Sequence, residues 1–147
     1  MIYKHFFKRP VRSFRDLEVY QDAMNCSVVI AKDIKSKLTR LKYELLENMI
    51  NCSLSIPLWI GESHSLRFSN FPLAISTLEK AMTGCNKMII YLEQVLGIYG
   101  AKLPADLVED LMRRYIDNRG KMFRLEKSWQ KFRQAWPSED AARGLKY

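Results

Sequence analysis

The sequence predicts an all-α protein: an antiparallel up-down-up-down four-helix bundle with a basic N-terminal arm and a long C-terminal helix. Apolar residues recur at spacings of three and four along four long segments, and short segments rich in glycine, proline or polar residues separate them. No segment shows the alternation typical of a strand. The 147 residues, of which 48% are hydrophobic, suit a single core. We therefore expect a basic arm over residues 1–12, the bundle over 13–136 and a flexible tail over 137–147.

The first helix is expected over about residues 14 to 39. Ser13 can cap it, and Asp16, three residues later, lies in the first turn, where the helix dipole favours a carboxylate. One face of this helix is apolar and comprises Val19, Tyr20, Ala23, Met24, Ser27, Ile30, Ala31, Ile34, Leu38 and Leu41.

The second helix is expected from about Lys42 to Ser63, and it contains a proline. Pro57 removes one backbone donor and crowds the carbonyl of Ser53, at a cost of about 3 kcal/mol. Hydroxyls of Ser53 and Ser55 can bond freed carbonyls, so a kinked continuous helix is favoured over one that ends at Ile56. The expected buried side is Leu45, Leu46, Met49, Ile50, Ser53, Ile56 and Ile60, and Gly61 with the polar stretch 63–65 marks the end.

The third and fourth helices have clear start and stop signals. The third begins near Asn70, with Pro72 in its first turn, and ends at Gly97. The fourth begins at Leu103 and continues to about Trp136. Its buried seam repeats at spacings close to those of a coiled coil and comprises Leu103, Leu107, Leu111, Tyr115, Asn118, Met122, Leu125, Trp129, Phe132 and Trp136.

Basic residues predict a polyanionic partner. Lysine and arginine number 24 against 16 acidic residues, which gives a net charge of +8. Residues 1–15, which include the arm, carry Lys4, Lys8, Arg9, Arg12 and Arg15. At about 100° per residue, the outer face of the fourth helix carries Arg113, Arg124, Lys127 and Lys131, and its flanks carry Arg114, Arg119, Lys121 and Arg133. These side chains would bind the phosphates of RNA or DNA, while Phe6, Phe7 and Phe14 could stack on unpaired bases. The alternative is that the excess charge reflects helix dipoles and solubility alone.

Other chemistry has little support. Cys26, Cys52 and Cys85 lie in apolar patterns without a CxxC pair, which favours buried reduced thiols in a cytoplasmic protein. His5, in the arm, and His64, expected in a turn, have no spacing that suits a metal site or a catalytic pair. We therefore expect no enzyme activity, no cofactor and no metal, and the apolar runs are too short for a membrane span.

Two motifs resemble a known family. Residues 13–21 (SFRDLEVYQ) and 55–62 (SIPLWIGE) resemble the four-helix bundle family named for proteins encoded in ribosomal-RNA intervening sequences, over roughly residues 13 to 130. The chain departs from the family pattern at residues 58–59, at Gly61 in place of alanine and at Ser63 in place of glycine. The resemblance implies structural roles for Pro57, Gly61, Glu62 and Trp129.

One branch of this superfamily is the accessory variability determinant of diversity-generating retroelements, and residues 120–129 (GKMFRLEKSW) are similar to its last helix. That branch implies a homopentamer that binds a reverse transcriptase and its template RNA. A homo-oligomer is also expected because Trp59, Tyr91, Tyr99 and Tyr115 are too many large rings for one narrow core, so that some should form subunit contacts. The function expected is a non-enzymatic nucleic-acid-binding scaffold, the accessory protein of such a reverse transcriptase. The alternative is a structural or protein-interaction bundle without a nucleic-acid partner.

Overall fold

The computed structural model describes residues 11–135, and it confirms the all-α helical bundle. Helix α1 comprises Glu18–Val29, a π-helical turn at Ile30–Ile34 and Lys35–Leu41. The other long helices are α2 (Leu46–Leu66), α3 (Phe71–Tyr99) and α4 (Ala105–Ala135), with 3-10 turns at Phe14–Asp16 and Gly100–Lys102. The described residues contain no strand. The predicted arm residues Lys4, Lys8 and Arg9, the predicted seam residue Trp136 and the tail 137–147 lie outside the described residues.

The predicted capping residues Ser13 and Asp16 are confirmed, but they cap a short 3-10 turn that precedes the α-helix. The Ser13 hydroxyl accepts a hydrogen bond from the backbone N–H of Arg15 at 3.2 Å, and the Asp16 carboxylate accepts one from the N–H of Ser13 at 3.2 Å. This capping box closes the short 3-10 turn. Leu17 then adopts an extended conformation, so the α-helix itself begins at Glu18.

Helix α2 passes through Pro57 without ending, so the alternative of a helix end at Ile56 is wrong. The helix is continuous over Leu46–Leu66, with Pro57 buried inside it. The hydroxyls of Ser53 and Ser55 donate to backbone carbonyls three and four residues earlier, at 2.8 and 2.6 Å. They do not bond the Ser53 carbonyl that the proline ring crowds, so that part of the expectation was wrong.

Both ends of α2 lie three or four residues later than predicted. Lys42 has a left-handed backbone with φ of 58°, which ends α1 and delays the start of α2 to Leu46. Leu45, predicted to be buried, precedes the helix and is 40% exposed. At the other end Gly61 stays helical, and the helix continues to Leu66.

The predicted start of α3 is accurate, and its end is not. The Asn70 side chain accepts a hydrogen bond from the N–H of Leu73 at 3.3 Å, which caps the helix. The helix continues through Gly97 and stops at Gly100, whose φ of 51° is left-handed and breaks the helical path.

The helices pack in cyclic order, with α1 against α2, α2 against α3, α3 against α4 and α4 against α1. Helices α2 and α3 approach each other closely at Gly84. A Cβ atom there would lie 2.9 Å from Cγ1 of Ile56 and 3.0 Å from the Trp59 ring, so only glycine lets the two helices come this close. At one end of this pair, the Tyr43 hydroxyl donates to the Gln94 side chain at 2.7 Å.

The core contains most of the predicted seam, with some corrections. Tyr115 is fully buried, so it cannot form a subunit contact, whereas Trp59, Tyr91 and Tyr99 are half-buried at the edge of the core. Phe132 is 46% exposed because it lies in the last turns of α4, beyond the start of α1. Met24 and Ala31 of the predicted α1 face are also exposed.

Candidate nucleic-acid interface

Four of the predicted phosphate-binding residues form a basic stripe on the outer face of α4: Arg113, Arg124, Lys127 and Lys131. All four side chains are exposed. Arg124 lies three helical turns after Arg113, and Lys131 two turns after Arg124, so the stripe extends for about 27 Å along the helix. None of the four forms an ion pair with a described carboxylate. Asp117 lies on the same face and is the one acid between the two arginines.

Two of the predicted residues are engaged elsewhere. Lys121 Nζ donates to Glu18 Oε1 at 2.8 Å and to Asp22 Oδ2 at 3.1 Å, and these hydrogen bonds raise the pKa of Lys121. Arg114 pairs with Asp110, one turn earlier on α4, at 2.8 Å. Both side chains are paired within the bundle and are therefore left out of the basic stripe, and their contacts with phosphates stay a prediction.

The other predicted phosphate-binding residues that the structure describes lie on α4 or beside it. Arg119 is exposed on the side of α4 that faces α3. Arg133 is half-buried, with its guanidinium carbon 5.4 Å from the centroid of the Phe71 ring. Arg12 and Arg15 are exposed in the segment before α1, which the Lys121 bridge to Glu18 holds beside the C-terminal half of α4.

A pocket that sequence reasoning missed lies between the α2–α3 connection and the last turns of α4. We call it the aromatic pocket. Its volume is about 210 Å³, and its lining residues are Arg67, Phe68, Phe71, Ser128, Trp129, Phe132 and Arg133. The rings of Phe68 and Phe132 meet edge to face, with centroids 6.1 Å apart. The signal in the sequence was a pair of phenylalanines, Phe68 and Phe71, close to a short turn. Such a pair lies outside the repeat of apolar residues by which the helices were predicted.

Arg67 is held rigidly at the pocket by His64. Its Nη1 donates to the backbone carbonyl of His64 at 2.6 Å and lies 3.0 Å from the Nδ1 atom of the His64 ring. Because a guanidinium has no acceptor, Nδ1 must be the acceptor and the imidazole must be neutral. Burial and, after it, the charge of Arg67 lower the pKa of His64 to about 4. His64 is therefore a buried orienting group in the last turn of α2, not a residue of an open turn as predicted.

A second surface lies on the other side of the bundle. Four apolar residues are exposed on α1 and α2, and we call them the apolar patch: Met24, Val28, Leu54 and Leu58. Leu58 is 72% exposed.

Beside the apolar patch is a groove of about 490 Å³, lined by Met24, Leu54 and Leu58 of the patch together with Phe14, Tyr20, Ser27, Pro57 and Gly61. Phe14 packs on Gly61 and meets Tyr20 edge to face at 5.0 Å. It therefore supports this groove and is not a free arm aromatic.

The residues given structural roles by the resemblance divide between these surfaces. Pro57 and Gly61 lie at the groove, Trp129 lines the aromatic pocket with its ring 6.2 Å from that of His64, and Glu62 is exposed on α2.

One buried carboxyl also escaped sequence reasoning. Glu126 on α4 is 6% exposed, and its Oε1 has no hydrogen-bond partner among the described residues. Burial, followed by the hydrogen bond and charge of Glu79 on α3, raises the pKa of Glu126 to about 7, against a smaller opposite effect of Lys127.

Within residues 11–135, no group of three or more histidine, cysteine or acidic side chains is arranged to hold a metal ion. No helix in that part of the chain combines the length and apolar character needed to cross a bilayer. Comparison with family models, curated proteins and solved structures found no match to this chain. The resemblance to the intervening-sequence family stays a prediction.

Proposed function

We propose that the protein is a non-enzymatic nucleic-acid-binding scaffold whose basic stripe on α4 binds the phosphate backbone. The observation that supports this proposal is the absence of ion-pair partners for the stripe among the described residues, although Lys121 and Arg114 on the same helix are paired. Unpaired cations that share one face bind a polyanion by releasing its counterions. A helix dipole does not account for Arg113, which lies in the first half of α4.

The partner that the resemblance suggests is a reverse transcriptase of a diversity-generating retroelement, together with its template RNA. In this proposal the protein acts in the cytoplasm as a homopentamer, so that symmetry repeats the basic stripe around a ring. The similarity of residues 120–129 supports this branch, the motifs at residues 13–21 and 55–62 support the wider family, and the charge of the stripe is compatible with the assignment.

A salt titration tests the scaffold proposal. Binding of a single-stranded RNA would be measured by fluorescence anisotropy for the wild type and for the triple variant Arg113→Gln, Arg124→Gln, Lys131→Gln. Each phosphate contact contributes about 0.7 to the slope of log affinity against log salt, so the triple variant should lower the slope by about 2.

A matched control removes three exposed lysines from α1, in the variant Lys32→Gln, Lys35→Gln, Lys37→Gln. Both triple variants lose the same net charge, so only the position of the charges differs. Equal losses in the two variants would mean that the stripe has no special role. No RNA or DNA binding at low salt would exclude the scaffold.

The apolar patch favours a second function, protein interaction. Exposed apolar residues grouped on one face are typical of a protein contact, and here they flank a groove. The occupant proposed is a second copy of this chain. Leu58→Glu should convert an oligomer to a monomer in multi-angle light scattering, whereas Ile90→Glu, at a 54% exposed position on α3, should not. A wild-type monomer at micromolar concentration would contradict this second proposal.

A further inference from the structure

We propose that the aromatic pocket holds one unpaired base of a single-stranded nucleic acid whose phosphates follow the basic stripe. This inference rests on the proposed function and adds to it a site for a base. It also predicts that unpaired strands are preferred, because a base within a duplex is stacked between its neighbours and cannot enter a pocket.

The walls of the pocket suit a flat ring. Four aromatic side chains line it, and each base has a face that can stack on such a ring. The volume of about 210 Å³ is below the roughly 300 Å³ at which sites for drug-sized ligands begin. A single heterocycle therefore fits the pocket better than a complete nucleotide, and the sugar and phosphate would remain outside.

The cations of the pocket favour a base over an apolar ligand. Arg67 uses only Nη1 in its bonds to His64, and its other N–H groups have no hydrogen bond to a described residue. The Arg67 side chain is half-buried, and this burial lowers its pKa. An apolar ligand would cover this guanidinium without giving it an acceptor, at a cost in free energy. The carbonyl and ring nitrogen atoms of a base are acceptors.

The position of the pocket links it to the stripe. Phe132, which lines the pocket, follows Lys131 directly in α4, and Ser128 follows Lys127. Adjacent residues of a helix point about 100° apart, so Ser128 and Phe132 form the edge of the pocket that is nearest to the basic stripe, and Trp129 and Arg133 lie further round α4. A strand whose phosphates contact Lys127 and Lys131 would thus have its bases within reach of the pocket.

An abasic substitution tests the inference. We would compare a ten-nucleotide single-stranded RNA with an oligomer of the same length in which every base is removed and every phosphate kept. The wild type should bind the abasic oligomer roughly tenfold more weakly, the effect of losing one stacked base.

Two variants locate the effect. Phe132→Leu should weaken binding of the normal oligomer roughly tenfold and leave binding of the abasic oligomer unchanged. Phe123→Leu is the matched control, because Phe123 is 45% exposed on the same helix, close to the 46% of Phe132, and does not line the pocket. Its ring centroid lies 5.1 Å from Lys127 Nζ, so an effect of this variant through the basic stripe would weaken binding of both oligomers alike. Far-UV circular dichroism would verify that both variants fold.

A fluorescence measurement leaves the described lining residues of the pocket unchanged. The chain has three tryptophans, so replacing Trp59 and Trp136 by phenylalanine leaves Trp129 as the one reporter. The normal oligomer should quench its emission and the abasic oligomer should not.

The outcomes separate this inference from the scaffold proposal. Equal, salt-dependent affinity for the two oligomers would overturn the base site and leave the scaffold standing. Equal weakening by Phe123→Leu and Phe132→Leu would also overturn the base site. Failure of both oligomers to bind at low salt would overturn both proposals.

Discussion

Replacing the buried carboxyl of Glu126 should stabilise the protein above neutral pH and have little effect in acid. The folded pKa of Glu126 is about 7, against an ordinary value of 4.5. Between these values the folded protein keeps a proton that the unfolded chain has released, so stability falls as the pH rises. The contribution of this carboxyl to the free energy of unfolding is fully present below pH 4.5 and is lost as the pH rises through 7. Glu126→Gln keeps the shape of the side chain and cannot ionise.

The size of the effect follows from the pKa. One pKa unit corresponds to about 1.4 kcal/mol, which sets an upper limit of about 3 kcal/mol on the gain at pH 8. Water near the exposed neighbour Glu79 screens part of the interaction, so we expect a gain of about 2 kcal/mol. The glutamine amide can also donate a hydrogen bond to Glu79, whereas two ionised carboxylates repel each other.

The assay is urea unfolding of the wild type and Glu126→Gln at several values between pH 4.5 and 8, followed by circular dichroism. His64 has a lowered pKa and makes folding less favourable as the pH falls from 6.5 to about 4. It is present in both proteins, so its contribution cancels in the difference. Glu79→Gln is the control: it removes only the neighbouring charge, and it should reduce the pH dependence without abolishing it. A stability difference that is the same at all pH values, or a Glu126→Gln protein that is less stable at pH 8, would refute this reasoning.

Two further predictions concern glycines and thiols. Gly84→Ala should destabilise the protein by about 1–3 kcal/mol, because its methyl group would press on α2 at 2.9 Å. Gly120→Ala should stabilise it by about 0.5–1 kcal/mol, since that methyl would meet only the end of a flexible side chain at 3.6 Å. Thermal unfolding of both variants measures this contrast, and changes in stability of the same sign in the two variants would contradict it. Burial raises the pKa of Cys26 to about 11 and that of Cys85 to about 12, and Cys52 is also buried. A thiol reagent at pH 8 should therefore modify all three only on unfolding, and rapid labelling of the native protein would show that the core is open.

The helices could be predicted from the sequence because burial along a helix repeats every three or four residues, and this repeat survives errors at the ends. The ends depend on single backbone conformations. Lys42 adopts a left-handed φ that a non-glycine residue rarely takes. Gly97 suggests a helix end in the sequence, but α3 continues through it and ends before Gly100. The π-helical turn at Ile30–Ile34 has no distinctive composition.

The basic stripe could be predicted because it depends on the angular positions within one helix. The partners of Lys121 could not, because they lie about 100 residues away on α1 and meet it only after the bundle forms. The same holds for Glu126 and Glu79, whose contact joins two helices. The aromatic pocket combines residues from a connection and from a helix end, and neither segment alone has a pattern that indicates a pocket.

The placement of the ends of the described segment has a practical consequence for handling this protein. Phe14 against Gly61 and Arg133 near Phe71 show that the described segment begins and ends at the end of the bundle that holds the aromatic pocket. A purification tag should therefore be cleaved before binding is measured, because both ends of the described segment leave the bundle near the pocket. The opposite end, where Tyr43 meets Tyr99 at 6.3 Å, carries the α1–α2 connection. A dye or a surface linker is best attached there.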